Sequence, residues 1–79
     1  MVGGKILSKT AKSTTVMQLW CIEAQNQSID ECAVDVLIEK DMPMIGDEIW
    51  WQSGKVYWDK DRKSLTKVGN SYDPRMTQP

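Results

Sequence analysis

The chain has 79 residues, of which 41% are hydrophobic and 27% are charged, and its formal net charge is −1. This length allows one small domain with a modest core, and the composition argues against wholesale disorder. The sequence has no histidine, two cysteines and no long apolar stretch. These absences exclude histidine-based catalysis, a zinc site built from protein ligands alone and a membrane-spanning helix.

Alternation of apolar and polar residues with a period of two dominates the first half of the chain, and no helical stripe is evident. Gly3-Gly4 precedes a first predicted strand at residues 5–10, and residues 14–24, rich in β-branched and aromatic side chains, predict a second. A polar turn at residues 26–28 leads to a third strand at residues 31–40. One face of this third strand carries Cys32, Val34, Val36 and Ile38.

Turn residues divide the second half of the chain. Pro43 and Gly46 interrupt the pattern, because proline cannot donate to a ladder and glycine frees the backbone. Met42 and Met44, which flank Pro43, are candidate additions to an interaction patch. Ser53-Gly54 is a two-residue loop that favours a tight hairpin. The predicted elements here are hairpin strands at residues 48–52 and 55–59, a charged turn at 59–63, a last strand at 64–68 and a closing turn at Gly69-Asn70.

Short strands with short connections predict an all-β fold. We expect a small antiparallel barrel or half-open sandwich of five to six strands, of the SH3-like or oligonucleotide-binding (OB-like) type. A two-layer sheet with one short helix is the alternative. Residues 1–70 are predicted to form a single small β domain. Residues 71–79, with two prolines and few apolar side chains, are predicted to be a flexible C-terminal tail.

The compartment and the state of the two cysteines are linked. The first residues lack the apolar run of about 7–15 residues that a secretory signal needs, so we expect a cytoplasmic protein. Cys21 and Cys32 would then be reduced. If the flanking strands form a hairpin centred on Asn26-Gln27, however, the two cysteines lie opposite each other. A cross-strand disulfide is therefore the less favoured alternative.

The hairpin loop fixes which residues face each other across the two strands. With Ser53-Gly54 as the loop, Trp50 lies opposite Tyr57 and Trp51 lies opposite Val56. The predicted core face carries Ile49, Trp51, Val56 and Trp58. The predicted outer face carries the Trp50–Tyr57 pair between two polar pairs, Glu48 with Asp59 and Gln52 with Lys55. Exposed aromatic side chains among polar ones are typical of binding surfaces.

Simpler interpretations of this aromatic pair remain open. A cross-strand aromatic pair stabilises a hairpin by about 0.2–1 kcal/mol without any partner. A loop, or the C-terminal tail through Tyr72 or Met76, would hide the pair, and a β-bulge would exchange the two faces. We favour a contact surface over each of these alternatives.

The sequence offers little support for catalysis. A serine or cysteine nucleophile has no histidine to act as its base. Four carboxylates in the second half are candidates for acid–base or cation-binding roles, but the spacing of a calcium loop is absent, as is a glycine-rich phosphate loop. These carboxylates belong to Asp47, Glu48, Asp59 and Asp61. We therefore expect a protein that is not an enzyme and that holds no metal or cofactor.

Two binding functions remain. The favoured one is protein–protein interaction, in which the aromatic pair anchors a partner and the acidic residues 23–51 select a basic one; homodimerisation through the same face is a variant. The alternative is binding of a nucleotide or short single-stranded nucleic acid, in which bases stack on Trp50, Tyr57 or Trp58 while nearby cations hold phosphate. These cations are Lys55, Lys60, Arg62 and Lys63. The predicted binding residues are Trp50, Gln52, Lys55, Tyr57, Lys60, Arg62 and Lys63.

The C-terminal half also carries a resemblance. Residues 45–58, IGDEIWWQSGKVYW, and residues 69–74, GNSYDP, resemble short uncharacterised proteins of tailed bacteriophages and prophages. The resemblance implies a phage accessory protein in the bacterial cytoplasm, within a group that includes inhibitors of host enzymes and defence systems. It implies no catalytic residue, and it is compatible with both binding functions.

Overall fold

The structure is a computed structural model that describes residues 1–11, 13–25, 29–61 and 63–73, without the side chains of residues 29 and 30. Six antiparallel strands close into a barrel in the order β1-β2-β3-β6-β5-β4. In chain order the elements are β1 (Val2–Lys9), β2 (Thr14–Gln18), α1 (Leu19–Ala24), α2 (Ile29–Cys32), β3 (Ala33–Ile38), β4 (Glu48–Gln52), β5 (Lys55–Trp58) and β6 (Thr66–Ser71). The prediction of a small all-β barrel is confirmed, and the sheet is closed rather than half-open.

The first strand begins three residues earlier than predicted and includes both glycines. Gly3 pairs with Trp50 and Gly4 with Ile49. A methyl group on Gly4 would lie 2.8 Å from Cη2 of Trp51, and one on Gly3 would lie 3.1 Å from Cδ1 of Trp50. Glycine stays within this strand because two indoles, one on each face, approach its backbone closely.

The predicted second strand is wrong beyond Gln18, since residues 19–24 form the helix α1. Leucine, glutamate and alanine in this segment favour a helix, whereas the apolar and aromatic content suggested a strand. The helix has no side-chain cap at its start, and Gln25 ends it in the left-handed conformation with φ of 62°. The segment that was predicted as a hairpin therefore holds two short helices, α1 and α2, which we call the helical connector.

The two cysteines form a disulfide, although the sequence favoured free thiols. Cys21 lies in α1 and Cys32 ends α2, so the bond joins two helices and does not cross a hairpin. Cys32 was predicted in the third strand, which instead begins at Ala33. The predicted inner face of that strand is confirmed, because Val34 and Val36 are fully buried. Residues 26–28, the predicted turn, lie outside the described residues.

The last strand begins and ends later than predicted. β6 spans Thr66–Ser71 and includes the predicted closing turn, Gly69-Asn70. Gly69 pairs with Ile38 of β3, and a methyl group there would collide with the backbone oxygen of Leu37. The glycine thus serves the close packing of two strands where the barrel closes. The Asp73 carboxylate accepts a hydrogen bond of 3.0 Å from the backbone N–H of Asp35.

Branched aliphatic side chains and one indole form the barrel core. The buried cluster comprises Val2, Ile6, Val16, Val34, Val36, Ile49, Trp51, Val56 and Val68, with Ile38 and Trp58 packed against it. The indole N–H of Trp51 is buried and finds no hydrogen-bond partner among the described residues. Within the same residues, no helix has the length and apolar character needed to cross a bilayer.

Candidate functional site

The β4–β5 hairpin has the predicted register. Trp50 pairs with Tyr57, Trp51 with Val56, and the last pair before the loop is Gln52 with Lys55. The loop residues Ser53 and Gly54 both have positive φ, 54° and 78°, as a two-residue turn matching the sheet twist requires. The loop chemistry therefore decides which side chains of this hairpin point inward.

The two neighbouring indoles face opposite ways, as predicted. Trp51 is 3% exposed and belongs to the core, whereas Trp50 is half-buried on the outer face. Irregularities of register occur in the β1–β2 and β5–β6 ladders. The β4–β5 ladder has no such shift at the three pairs that describe it, so no bulge exchanges the faces there.

The outer indole rests on the first strand and beside the first helix. If Gly3 carried a methyl group, that group would lie 3.1 Å from Nε1 of Trp50 and 2.6 Å from Cδ1 of Leu19. The side chains of Trp50 and Leu19 are therefore neighbours. Together with Leu65 they line an open cleft of about 610 Å³, here called the Leu19 cleft. Its remaining walls are polar, formed by Glu48, Asp59, Lys63 and Ser64.

A second cleft shares Trp50 and Glu48 with the first. Trp50 and Trp58 both line this cleft of about 230 Å³, which we call the two-indole cleft. Its polar walls carry two lysines and two carboxylates, from Lys5, Lys60, Asp47 and Glu48. The cleft therefore combines aromatic surfaces with charges of both signs.

A third cleft continues the surface past Trp58. Met42 and Trp58 line this cleft of about 300 Å³, the Met42 cleft, together with Asp59, Lys60, Asp61, Ser64 and Thr66. Met42 is 52% exposed. Its loop is braced at Asp47, whose carboxylate accepts a hydrogen bond of 2.9 Å from the backbone N–H of Met44. The loop is also tied to β1, because the N–H of Gly46 donates to the carbonyl of Ile6 at 3.0 Å.

The three clefts share walls and so form one surface. Trp50 belongs to the first and second clefts, and Trp58 belongs to the second and third. Five apolar side chains thereby line three clefts that share walls. We call them the apolar strip: Leu19, Leu65, Trp50, Trp58 and Met42.

The structure gathers some of the predicted binding residues and separates others. Trp50, Lys60 and Lys63 line the clefts. Tyr57 is half-buried opposite Trp50 but lines none of the three. The remaining predicted residues lie elsewhere: Gln52 and Lys55 are exposed beside the hairpin loop, and Arg62 lies outside the described residues.

Tertiary structure adds side chains that the sequence did not assign to the site. Trp58 was predicted as core, and it does pack against the core cluster, but it is half-buried and lines two clefts. It is the last residue of β5, directly before the charged turn. Leu19 was missed because its segment was read as a strand. Tyr72, considered as a cover for Trp50, is itself 53% exposed.

Charges around the apolar strip are mixed. Across the three clefts the described charged residues are the carboxylates of Asp47, Glu48, Asp59 and Asp61 and the ammonium groups of Lys5, Lys60 and Lys63. Among the described residues, no group of three or more cysteine, aspartate or glutamate side chains is arranged to hold a metal ion. The chemistry that this surface offers is apolar contact flanked by both signs of charge.

Comparison of the chain with models of known protein families, with curated proteins and with solved structures gave no match. Function therefore has to be inferred from the geometry of the clefts and the apolar strip.

Proposed function

We propose that this protein is a non-enzymatic interaction module that binds another protein through the apolar strip. The observation that carries the proposal is continuity: two indoles, two leucines and a methionine line three adjoining clefts. Aromatic residues and methionine are enriched where proteins bind one another, and anchors that fill clefts dominate the binding energy. Charged groups at the rim of an interface contribute more to the correct orientation of the partner than to affinity.

Rigid backing makes Trp50 a suitable anchor. The indole rests against the backbone of Gly3 and beside Leu19, so little side-chain freedom remains to be lost when a partner covers it. Met42 offers the opposite property, since a flexible thioether adapts to a partner's shape. The strip thus combines a fixed anchor with an adaptable side chain.

The resemblance to phage and prophage proteins suggests the kind of partner. A small accessory protein of this kind would bind a host or phage protein and act by occupying its surface. Inhibition of a host enzyme or a defence system is the activity that we propose on this basis.

The experiment is capture from bacterial lysate followed by titration. The full chain is used as bait, mass spectrometry identifies the captured protein, and that protein is then titrated against variants of the bait. We expect Trp50→Ala to weaken binding at least about tenfold, as loss of a central anchor does. Leu37→Ala is the matched control, since Leu37 is an exposed apolar residue on β3. Equal affinity of the two variants would contradict the proposal.

The two-indole cleft supports a second candidate function. Lys5 and Lys60 line it together with both indoles, which is the combination that stacks a base and holds a phosphate. Titration with a short oligothymidylate would then quench tryptophan fluorescence, with an affinity that falls steeply as salt rises. Lys60→Ala would reduce the salt slope, whereas the protein-binding function predicts no quenching by the oligonucleotide.

A further inference from the structure

The helical connector between β2 and β3 is held by a disulfide that lies outside the barrel core. Cys21 and Cys32 are 4% and 0% exposed, yet neither belongs to the core cluster that fills the barrel. The bond joins α1 to the end of α2. The connector packs against β1 and β2, and the crosslink joins its two helices.

The helix α1 needs such support, because little else in its own sequence stabilises it. It has six residues and no side-chain cap at its start. A helix this short does not persist in water without tertiary contacts. Its conformation therefore depends on what ties it to the rest of the molecule.

A buried glutamine provides a second tie that depends on the same geometry. Gln18 is 2% exposed. Its amide nitrogen donates to the carbonyl of Cys32 at 3.4 Å, and its amide oxygen accepts a hydrogen bond of 3.0 Å from the indole N–H of Trp20. If the connector opened, this buried amide would lose its partners on both helices, which is unfavourable. The disulfide and Gln18 therefore hold the connector together.

The connector forms one wall of the apolar strip. Leu19 is the first residue of α1 and lies two positions before Cys21. Its Cδ1 atom packs over Gly3 next to the indole of Trp50, and its side chain lines the Leu19 cleft. The position of Leu19 is consequently coupled to whether Cys21 and Cys32 are oxidised or reduced.

We propose that the Cys21–Cys32 disulfide positions Leu19 against Trp50, so that the oxidised protein has a formed Leu19 cleft and the reduced protein does not. Reduction by a dithiol supplies two electrons and two protons: the S–S bond breaks, two thiols form, and the reductant becomes a cyclic disulfide. The significance for binding rests on the proposed function, but the positioning itself does not.

The compartment would then set the shape of the site. Reducing cytosol keeps such pairs as thiols, whereas oxidising compartments keep them as disulfides. Because both sulfurs are buried, attack by a reductant requires the connector to open first. Oxidised protein should therefore keep its formed cleft for some time after it meets a reducing solution.

The test is nuclear magnetic resonance of the full chain, oxidised and after reduction by dithiothreitol. The readout is the nuclear Overhauser effect between the Leu19 methyl groups and the Trp50 indole, with Trp50→Phe used to assign the indole. The internal control is the same effect between Val16 and Trp51, which meet over Gly4 inside the barrel.

We expect reduction to abolish the Leu19–Trp50 effect, to preserve the Val16–Trp51 effect, and re-oxidation to restore the first. The double variant Cys21→Ala/Cys32→Ala should reproduce the reduced spectrum without any reductant. Persistence of the Leu19–Trp50 effect in reduced protein would overturn the proposal. Loss of both effects together would also overturn it, because the crosslink would then hold the whole fold. No partner enters this test, so its failure is distinct from a failure of the capture experiment.

Discussion

Trp50 and Trp51 are neighbours in β4, and each lies over a glycine of β1, yet their surroundings differ. Trp51 packs over Gly4 inside the barrel with 3% of its surface exposed, whereas Trp50 packs over Gly3 outside it and lines two open clefts. Strand alternation alone separates them. The comparison teaches that one residue type at adjacent positions serves stability on one face and, on our account, recognition on the other.

The largest expected difference between the two indoles is in the free energy of unfolding. Trp51→Ala should lower it by about 3–5 kcal/mol, because a buried indole leaves a cavity that the closed barrel cannot fill. Trp50→Ala should lower it by no more than about 1 kcal/mol, the typical value of a cross-strand aromatic pair. Urea unfolding followed by circular dichroism measures both. Similar losses for the two variants would mean that Trp50 is also a core residue.

The disulfide extends the comparison of the two indoles, because it holds the helix whose Leu19 side chain lies beside Trp50. Cys21→Ala/Cys32→Ala should lower the free energy of unfolding by about 3 kcal/mol, as expected for a crosslink closing a loop of this length. Loss of the crosslink frees the unfolded chain and also releases the connector in the folded state, while we expect the barrel itself to remain folded. Comparison of urea midpoints with those of the oxidised protein measures it. A loss large enough to unfold the barrel would show that the connector and the barrel are one unit.

The two glycines provide a matched pair of small changes. Gly4→Ala should lower the free energy of unfolding by about 1–3 kcal/mol, since its methyl group meets Val16 and the ring of Trp51 in the packed interior. Gly3→Ala should have a smaller effect, because the nearest atom is the flexible end of Leu19. Thermal melts of the two variants test this order. The reverse order would contradict the assignment of the inner and outer faces.

Removal of the whole outer aromatic pair should have a small effect on stability and the largest effect on binding. Trp50→Ala/Tyr57→Ala should leave a folded barrel while abolishing capture of the partner. Far-ultraviolet circular dichroism verifies folding, and titration of the captured protein measures binding. Gln52→Ala is the matched control, because Gln52 is exposed on the same hairpin but lines none of the three clefts. An unfolded double variant would assign the aromatic pair to the stability of the sheet.

The hairpin was the most predictable part of the fold. Its register follows from local information alone, since a two-residue loop at Ser53-Gly54 fixes every pair behind it. The partition of Trp50 and Trp51 between the two faces then follows from alternation. The barrel class was predictable for the same reason, because short alternating strands and turn residues are both visible in the sequence.

Elements that depend on distant contacts were not predictable from local patterns. α1 was predicted as a strand because aromatic and branched residues are common in strands. The helix is instead stabilised by the disulfide and by Gln18, which the local sequence pattern does not reveal. Gly3-Gly4 was placed before the first strand and Gly69 in a closing turn, although these glycines lie within strands and allow close approach of indoles and backbone. Leu19 was absent from the predicted site because its place beside Trp50 depends on the fold of this connector.

The most direct test of the account is the solvent accessibility of the two neighbouring indoles. A soluble paramagnetic chelate broadens the N–H signals of exposed groups, and the signals of Trp50 and Trp51 can be followed together in one ¹⁵N-labelled sample. The account predicts clearly stronger broadening for Trp50, which is half-buried, than for Trp51, which is 3% exposed. Protection of Trp50 together with broadening of Trp51 would place the proposed anchor inside the barrel and contradict the contact surface.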